Sequence, residues 1–134
     1  MPDDVDRFLA AWHRAVAARD LEGVDALLAE EVTIGAPPYW TKLEGRPLVQ
    51  HLLGLILTTI EDFTYRRQWR DGGELALEFT GRVDGLDLQG IDLVTLDERG
   101  RIANLDVLIR PVNAVQALIA SVAPRMQAHL AGSG

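Results

Sequence analysis

The chain has 134 residues, with 13 Lys and Arg against 20 Asp and Glu; its formal net charge of −7 argues against a nucleic-acid backbone or an anionic membrane as partner. With 48% apolar and 25% charged residues it suits one globular domain, 1–134, able to bury a single core. The absence of cysteine excludes disulfides, zinc–thiolate sites and a thiol nucleophile.

The opening MPDDVDRF is acidic where a signal peptide is basic and then apolar, so a cytoplasmic protein is expected. Val5, Phe8, Leu9, Trp12 and Val16 recur at helical spacing and predict an amphipathic helix over 3–18, capped by Asp3 or Asp4. Asp20 caps a short second helix, Leu21 to Leu28. Val32–Gly35 reads as a short strand, and the following APPYW as a turn or loop. Pro47 is placed as first residue of a third helix running to about Thr59.

Four strand-like segments follow, 62–70, 74–83, 86–96 and 101–110. Asp71-Gly72-Gly73, Asp84-Gly85 and Asp97 to Gly100 supply the turns, so consecutive strands pair antiparallel. Gly81, Gly85 and Gly90 read as turn and bulge residues, with no phosphate loop among them. Pro111 opens a last helix with Val112, Val115, Leu118, Ile119 and Val122 on one side. Pro124 kinks or ends that helix, and Gly132 to Gly134 form a frayed tail. Three helices with a strand among them, a four-stranded antiparallel meander and a closing helix make an α+β domain. Such a sheet wraps around the helices and leaves a cavity at its open end.

Within Leu88 to Pro111, each of two apolar strands carries one interior carboxylate, Asp92 and Asp106. Burying a carboxylate among Leu, Ile and Val is costly unless something pairs with it. If Asp97 to Gly100 closes a tight hairpin, Leu96 pairs with Arg101 and Asp92 lies opposite Leu105. Asp92 then shares a face with Leu105, Val107 and Ile109, and Asp106 shares the other with Ile91, Leu93, Asn104 and Leu108. In strand 74–83 the apolar Leu75, Leu77, Phe79 and Val83 face inward, against Ala76, Glu78, Thr80 and Arg82 outward; by the same logic Asp92 is inward.

An inward carboxylate with apolar neighbours has a raised pKa and can serve as general acid or base near neutral pH. The alternative is a structural Asp92, held by Trp12, a Tyr or backbone amides and tying strand to helix. Asp106 is expected to pair with Arg82 or Arg110, on the outer face or across a dimer interface. Trp12, Tyr39 and Trp40 are the aromatics expected near the cavity mouth, Tyr39-Trp40 as a lid; with His13, Phe79, Leu105 and Val107 they form the candidate ligand-binding set. His13 and His51 sit beside apolar helix positions as helix-edge or satisfied residues rather than bases, and His129 is placed on the surface. No His and carboxylates have metal-ligand spacing, so no metal site is expected. The serines, Ser121 and Ser133, both lie near the C-terminus, which removes a nucleophile-elbow hydrolase.

FLAAWHRAVAARDLEGVDALLAEEV, EGRPLVQHLL and GIDLVTLDERGRIANLDVLIRP together resemble the SnoaL-like branch of the nuclear transport factor 2-like superfamily, over nearly the whole chain. The resemblance implies a cone-like, cystatin-like roll: a curved antiparallel sheet wrapped around N-terminal helices and enclosing a cavity. It also implies a homodimer, for which Ile91, Leu93 and Leu108 offer an apolar outer patch. Members of this kind include polyketide cyclases, steroid isomerases, epoxide hydrolases and dehydratases, as well as proteins without known chemistry. In the resembling epoxide hydrolases and isomerases an acid on one of these strands does acid/base work, which by position implies Asp92 as the catalytic residue. Two departures stand out. The epoxide-hydrolase pattern has an Arg two residues before the acid, where this chain has Gly90; the cyclase pattern has an inward acid on the last strand, where this chain has Val107. Two readings follow. One is a cofactor-independent isomerase, cyclase or epoxide hydrolase acting on a small apolar molecule through Asp92. The other is a non-catalytic dimer that binds an apolar ligand or a partner protein.

Overall fold

A computed structural model of the chain describes residues 3–132. Helix α1 (Asp4–Ala18) starts where the Asp3 carboxylate accepts a hydrogen bond from the Asp6 amide at 2.8 Å, satisfying one of the free N–H groups of the first turn. Its apolar stripe, Phe8, Leu9, Trp12, Ala15 and Val16, is buried. Arg19 ends it at φ 51° and donates to the carbonyls of Leu57 (3.1 Å) and Ile60 (3.3 Å) at the far end of α3. One side chain thereby docks α1 on α3.

Helix α2 (Leu21–Ala26) is capped by Asp20 as expected, but it stops two residues short of Leu28. Leu28 already belongs to β1 (Leu28–Gly35), where it pairs with Ile102 and is fully buried. A two-residue strand, β2 (Leu43–Glu44), was not anticipated from the sequence. Helix α3 (Arg46–Thr59) begins one residue before Pro47, with Gly45 as N-cap at φ 98°. Then come β3 (Glu61–Asp71), β4 (Glu74–Val83), β5 (Leu86–Leu96), β6 (Ile102–Arg110) and α4 (Val112–Gly132).

The strands form one curved, unclosed sheet in the order β2-β1-β6-β5-β4-β3. The antiparallel meander is present; β1 extends it by pairing parallel with β6, and β2, antiparallel to β1, makes the sixth strand. The inner face of the sheet and the helices bury one apolar cluster. Helix α4 continues through Pro124 to Gly132 rather than ending at the proline. The remainder of the tail, 133 and 134, lies outside the described residues. No helix among the described residues is long and apolar enough to cross a membrane.

The β5–β6 register is shifted by two from the tight-hairpin expectation: Asp92 lies opposite Val107, and Val94 opposite Leu105. The physical cause is an irregularity between Thr95 and Leu96, where Leu96 pairs with Ile102 and Thr95 with Asn104. Beyond it the loop is closed by the Asp97 amide donating to the Arg101 carbonyl at 2.8 Å. A shift of two preserves side-chain parity, so the inward assignment of Asp92 stands. Gly81 and Gly90 need a different explanation from bulges, since both lie in regular β4–β5 pairing. A Cβ on Gly90 would sit 2.3 Å from Phe79 Cζ, and one on Gly81 would sit 2.4 Å from a methyl of Ile60. Each glycine makes room for a core side chain.

Candidate active site

Asp92 is 6% exposed in the middle of β5, facing the helices. Its Oδ2 accepts a hydrogen bond from the Tyr65 hydroxyl at 2.6 Å, and that hydroxyl accepts one from Trp12 Nε1 at 2.9 Å. No partner for Oδ1 is found among the described residues. Burial pushes the Asp92 carboxyl up to about 7, against a smaller lowering by the Tyr65 hydrogen bond. Burial, and then the adjoining Asp92 carboxylate, push the Tyr65 phenol well above its ordinary value. The phenol therefore keeps its proton and stays a donor, while Asp92 sits where it can both take and give one at neutral pH.

Tyr65 is fixed by its neighbours. Phe79 and Phe63 stack at 4.6 Å, and Tyr65 meets Phe63 edge-on at 5.0 Å and Phe79 at 6.3 Å. His13 meets the Tyr65 ring edge-on at 5.2 Å, and its Nε2 lies 2.9 Å from Gln68 Oε1.

Next to this cluster lies a pocket of about 180 Å³ between the loop after β1, helices α3 and α4, and β6. Pro37, Pro38 and Tyr39 form one side; Leu52 and Ile56 of α3 and Leu118, Val122 and Met126 of α4 form another; Val107 and Ile109 form the floor. Of the candidate ligand-binding set, Tyr39 and Val107 line this pocket. Trp12, Phe79 and Leu105 are buried in the adjoining core. Trp40 is 97% exposed and His13 half-buried, and neither lines the pocket. Asp92 does not line it either; it stands directly across the ladder from Val107, which does. Opposed residues on one face of an antiparallel pair have Cβ atoms roughly 5 Å apart, so the carboxyl is one side chain away from the pocket wall.

On the outer face, Asp106 is bound by Lys42 at 3.2 Å and by Asn104 Nδ2 at 3.0 Å, not by Arg82 or Arg110. Arg82 pairs instead with Asp62 and Arg110 with Gln89 Oε1, because the β2–β1 edge brings Lys42 beside β6. Glu78 is a carboxylate whose burial the sequence did not suggest: it is 2% exposed on the outer face. Arg67 grips it with two hydrogen bonds, 2.6 and 2.9 Å, and Gln89 adds a third. These bonds hold its carboxyl down at about 2, so it stays charged and is unsuited to proton transfer. His51 is half-buried at the edge of α3 but is not satisfied: among the described residues its Nε2 is buried without a hydrogen-bond partner. Among the described residues, no three His, Asp or Glu side chains gather where a metal ion could sit.

The SnoaL-like domain family matches residues 5–105 of the chain. A steroid delta-isomerase from Pseudomonas aeruginosa is 36% identical, covering 98% of this chain and 97% of that one with a TM-score of 0.89. An uncharacterized bacterial protein with a cystatin-like fold from Silicibacter pomeroyi is 37% identical over 88% of this chain and 84% of its own, with a TM-score of 0.84. An NTF2-like protein of unknown function from Cytophaga hutchinsonii is 16% identical over 84% of this chain and 95% of its own, at a TM-score of 0.68, a likeness of fold alone. No curated protein matches the chain.

Proposed function

The chain belongs to the SnoaL-like domain family, within the nuclear transport factor 2-like superfamily, and from that premise we propose that it binds an apolar small molecule and moves a proton on it through Asp92. The observation that carries this reading is the Asp92 carboxyl itself: buried, raised to about 7, fixed through Oδ2 by Tyr65, with Oδ1 uncommitted. A carboxylate so placed takes a proton from a carbon beside a carbonyl and returns it at a second carbon, an isomerisation that consumes nothing and needs no cofactor. The steroid isomerase likeness over 98% of the chain supports this reaction over cyclisation or epoxide opening. Gly90 speaks further against epoxide opening alone, since the position two residues before the acid carries no arginine. At about 180 Å³ the pocket is below the roughly 300–1,000 Å³ of drug-sized sites, which favours a one- or two-ring substrate over a four-ring steroid.

One observation favours a second reading, a ligand carrier without chemistry: Val107, not Asp92, forms the pocket surface. Both readings are tested by titrating the protein with a panel of one- to four-ring apolar ketones. Quenching of tryptophan fluorescence reads binding, and a shift of the substrate's ultraviolet band reads double-bond migration. Binding with turnover that Asp92→Asn abolishes supports the enzyme; binding that Asp92→Asn leaves intact, with no turnover in either protein, supports the carrier. No binding across the panel sinks both.

A further inference from the structure

Away from Asp92, two imidazoles lie face to face: His51 of α3 and His129 of α4, with ring centroids 3.7 Å apart and planes within 17°. His51 Nε2 is buried and unpartnered among the described residues, which native interiors seldom tolerate without a reason. Among the described residues, no ion pair reaches either ring. The other ionisable side chains of the two helices are Arg46, paired with Asp25 of α2 at 3.0 Å, and Arg125, bonded to Thr59 and Ser121. Of the elements packed on them, α2 adds Glu22, β1 adds Glu30 and Glu31, and β2 adds Glu44. On β4, β5 and β6 only Asp92 faces the helices; Glu74, Glu78, Arg82, Asp87, Asp106 and Arg110 stand on the other face. The group acting electrostatically on His51 is His129.

The pair also borders the pocket. Leu52 follows His51, Leu130 follows His129, and both line the wall, as do Met126 and Gln127 on the turn before His129. All the α4 members of this group lie beyond Pro124, which has no amide hydrogen to give to Ala120 four residues earlier. Helices bend at such a missing bond, so the last two turns of α4 are the part of the wall able to swing.

We propose that the His51–His129 stack is a pH-sensitive latch: with both rings neutral it holds the last turns of α4 on α3 and closes the pocket, and protonation drives that segment away and releases the bound molecule. The release step rests on the ligand-binding reading above; the latch does not. Burial, then His129, lower the His51 pKa from its ordinary 6.5, so the closed arrangement disfavours the charged ring. A depressed histidine contributes stability that is present above the ordinary pKa and lost as pH falls through it.

Hydrogen exchange of the full chain, corrected for intrinsic rates, tests the latch. Between pH 7.5 and pH 5.5, one imidazole free to titrate at about 6.5 in the open state raises the opening constant about tenfold. Protection of the amides of 126–132 should fall by that factor while α1 keeps its own. The drop should vanish in His51→Gln/His129→Gln, and His129→Lys, a change at an exposed position, should already be unprotected at pH 7.5. Flat protection in the wild type overturns the latch, as does a double variant that keeps the drop or a His129→Lys variant protected like the wild type. Nile red, uncharged throughout this range, serves as the pocket probe: loaded at pH 7.5, it should leave faster after a jump to pH 5.5 in the wild type than in the double variant. A dye that never enters sinks the ligand-binding reading and the release step with it, whereas flat exchange sinks the latch even if the dye binds.

Discussion

Tyr65 donates to Asp92 Oδ2 at 2.6 Å and accepts from Trp12 Nε1 at 2.9 Å, so one hydroxyl on β3 joins helix α1 to the middle of β5. The same hydroxyl orients the one inward carboxyl of strands β4 to β6, whose other oxygen has no partner among the described residues. It also makes the Trp12 indole a reporter on the protonation of Asp92.

Asp92→Asn keeps the shape and the capacity to accept from Tyr65 while removing the charge. The folded pKa of about 7 lies above the ordinary 3.8, so the folded state holds this proton more tightly than the unfolded chain. The resulting stabilisation is fully present below the ordinary pKa and is lost as pH rises through about 7. Thermal melts should show the variant equal to or less stable than wild type at pH 5. At pH 8 it should be more stable, by on the order of 1–4 kcal/mol. A variant clearly less stable than wild type at pH 8 would mean that the carboxylate is a structural acceptor and not an acid/base group.

Tyr65→Phe removes the one hydrogen bond that lowers the Asp92 pKa, so its titration should move to higher pH than in the wild type. Trp12 Nε1 loses its acceptor in the same change, and the expected loss of stability is about 1–3 kcal/mol. Carboxyl carbon NMR through the titration reads the first effect and denaturant melts read the second. An Asp92 midpoint that stays put or moves to lower pH refutes the assignment.

The strands of the meander were legible because alternation and Gly turns mark them, and the face of Asp92 followed from parity alone. A Tyr linked with Trp12 was among the partners expected for a structural Asp92, but that it is Tyr65 was not legible. β3 reads FTYRRQWR without clean alternation, because its pairing with β4 slips between Tyr65 and Gln68, and period-two reasoning fails across a slip. The same slip hid Glu78, since the grip of Arg67 depends on it. Lys42 was missed as the partner of Asp106 because a two-residue strand leaves almost no pattern to read.

The outer face carries Leu93, Leu108 and Trp69, each roughly half exposed, with Ile91 between them. Polar groups rim this patch, with the Arg67–Glu78–Gln89–Arg110 chain on one side and Lys42–Asp106–Asn104 on the other. An apolar centre with a polar rim is the anatomy of an interface, so a homodimer through this face is expected. Light scattering at micromolar concentration should give twice the chain mass, and Leu108→Arg should give a folded monomer. A wild-type protein that stays monomeric removes this expectation.

Gly90 explains why the position two residues before Asp92 carries no side chain. A Cβ there would lie 2.3 Å from Phe79 Cζ and 2.6 Å from the Leu108 carbonyl oxygen. The first contact could be relieved only by moving Phe79 off its stack with Phe63, and the second only by parting β5 from β6. Gly90→Ala should therefore cost roughly 1–3 kcal/mol, the range for overpacking a core. Phe79→Leu alone creates a cavity and is destabilising too, but the two changes together should cost less than their sum, because shortening Phe79 removes one of the two clashes. Denaturant melts of the four proteins measure this coupling. Additive losses, or a Gly90→Ala variant as stable as wild type, would mean that Phe79 does not occupy the space over Gly90. With coupling, the ring of Phe79 is what occupies the space over Gly90.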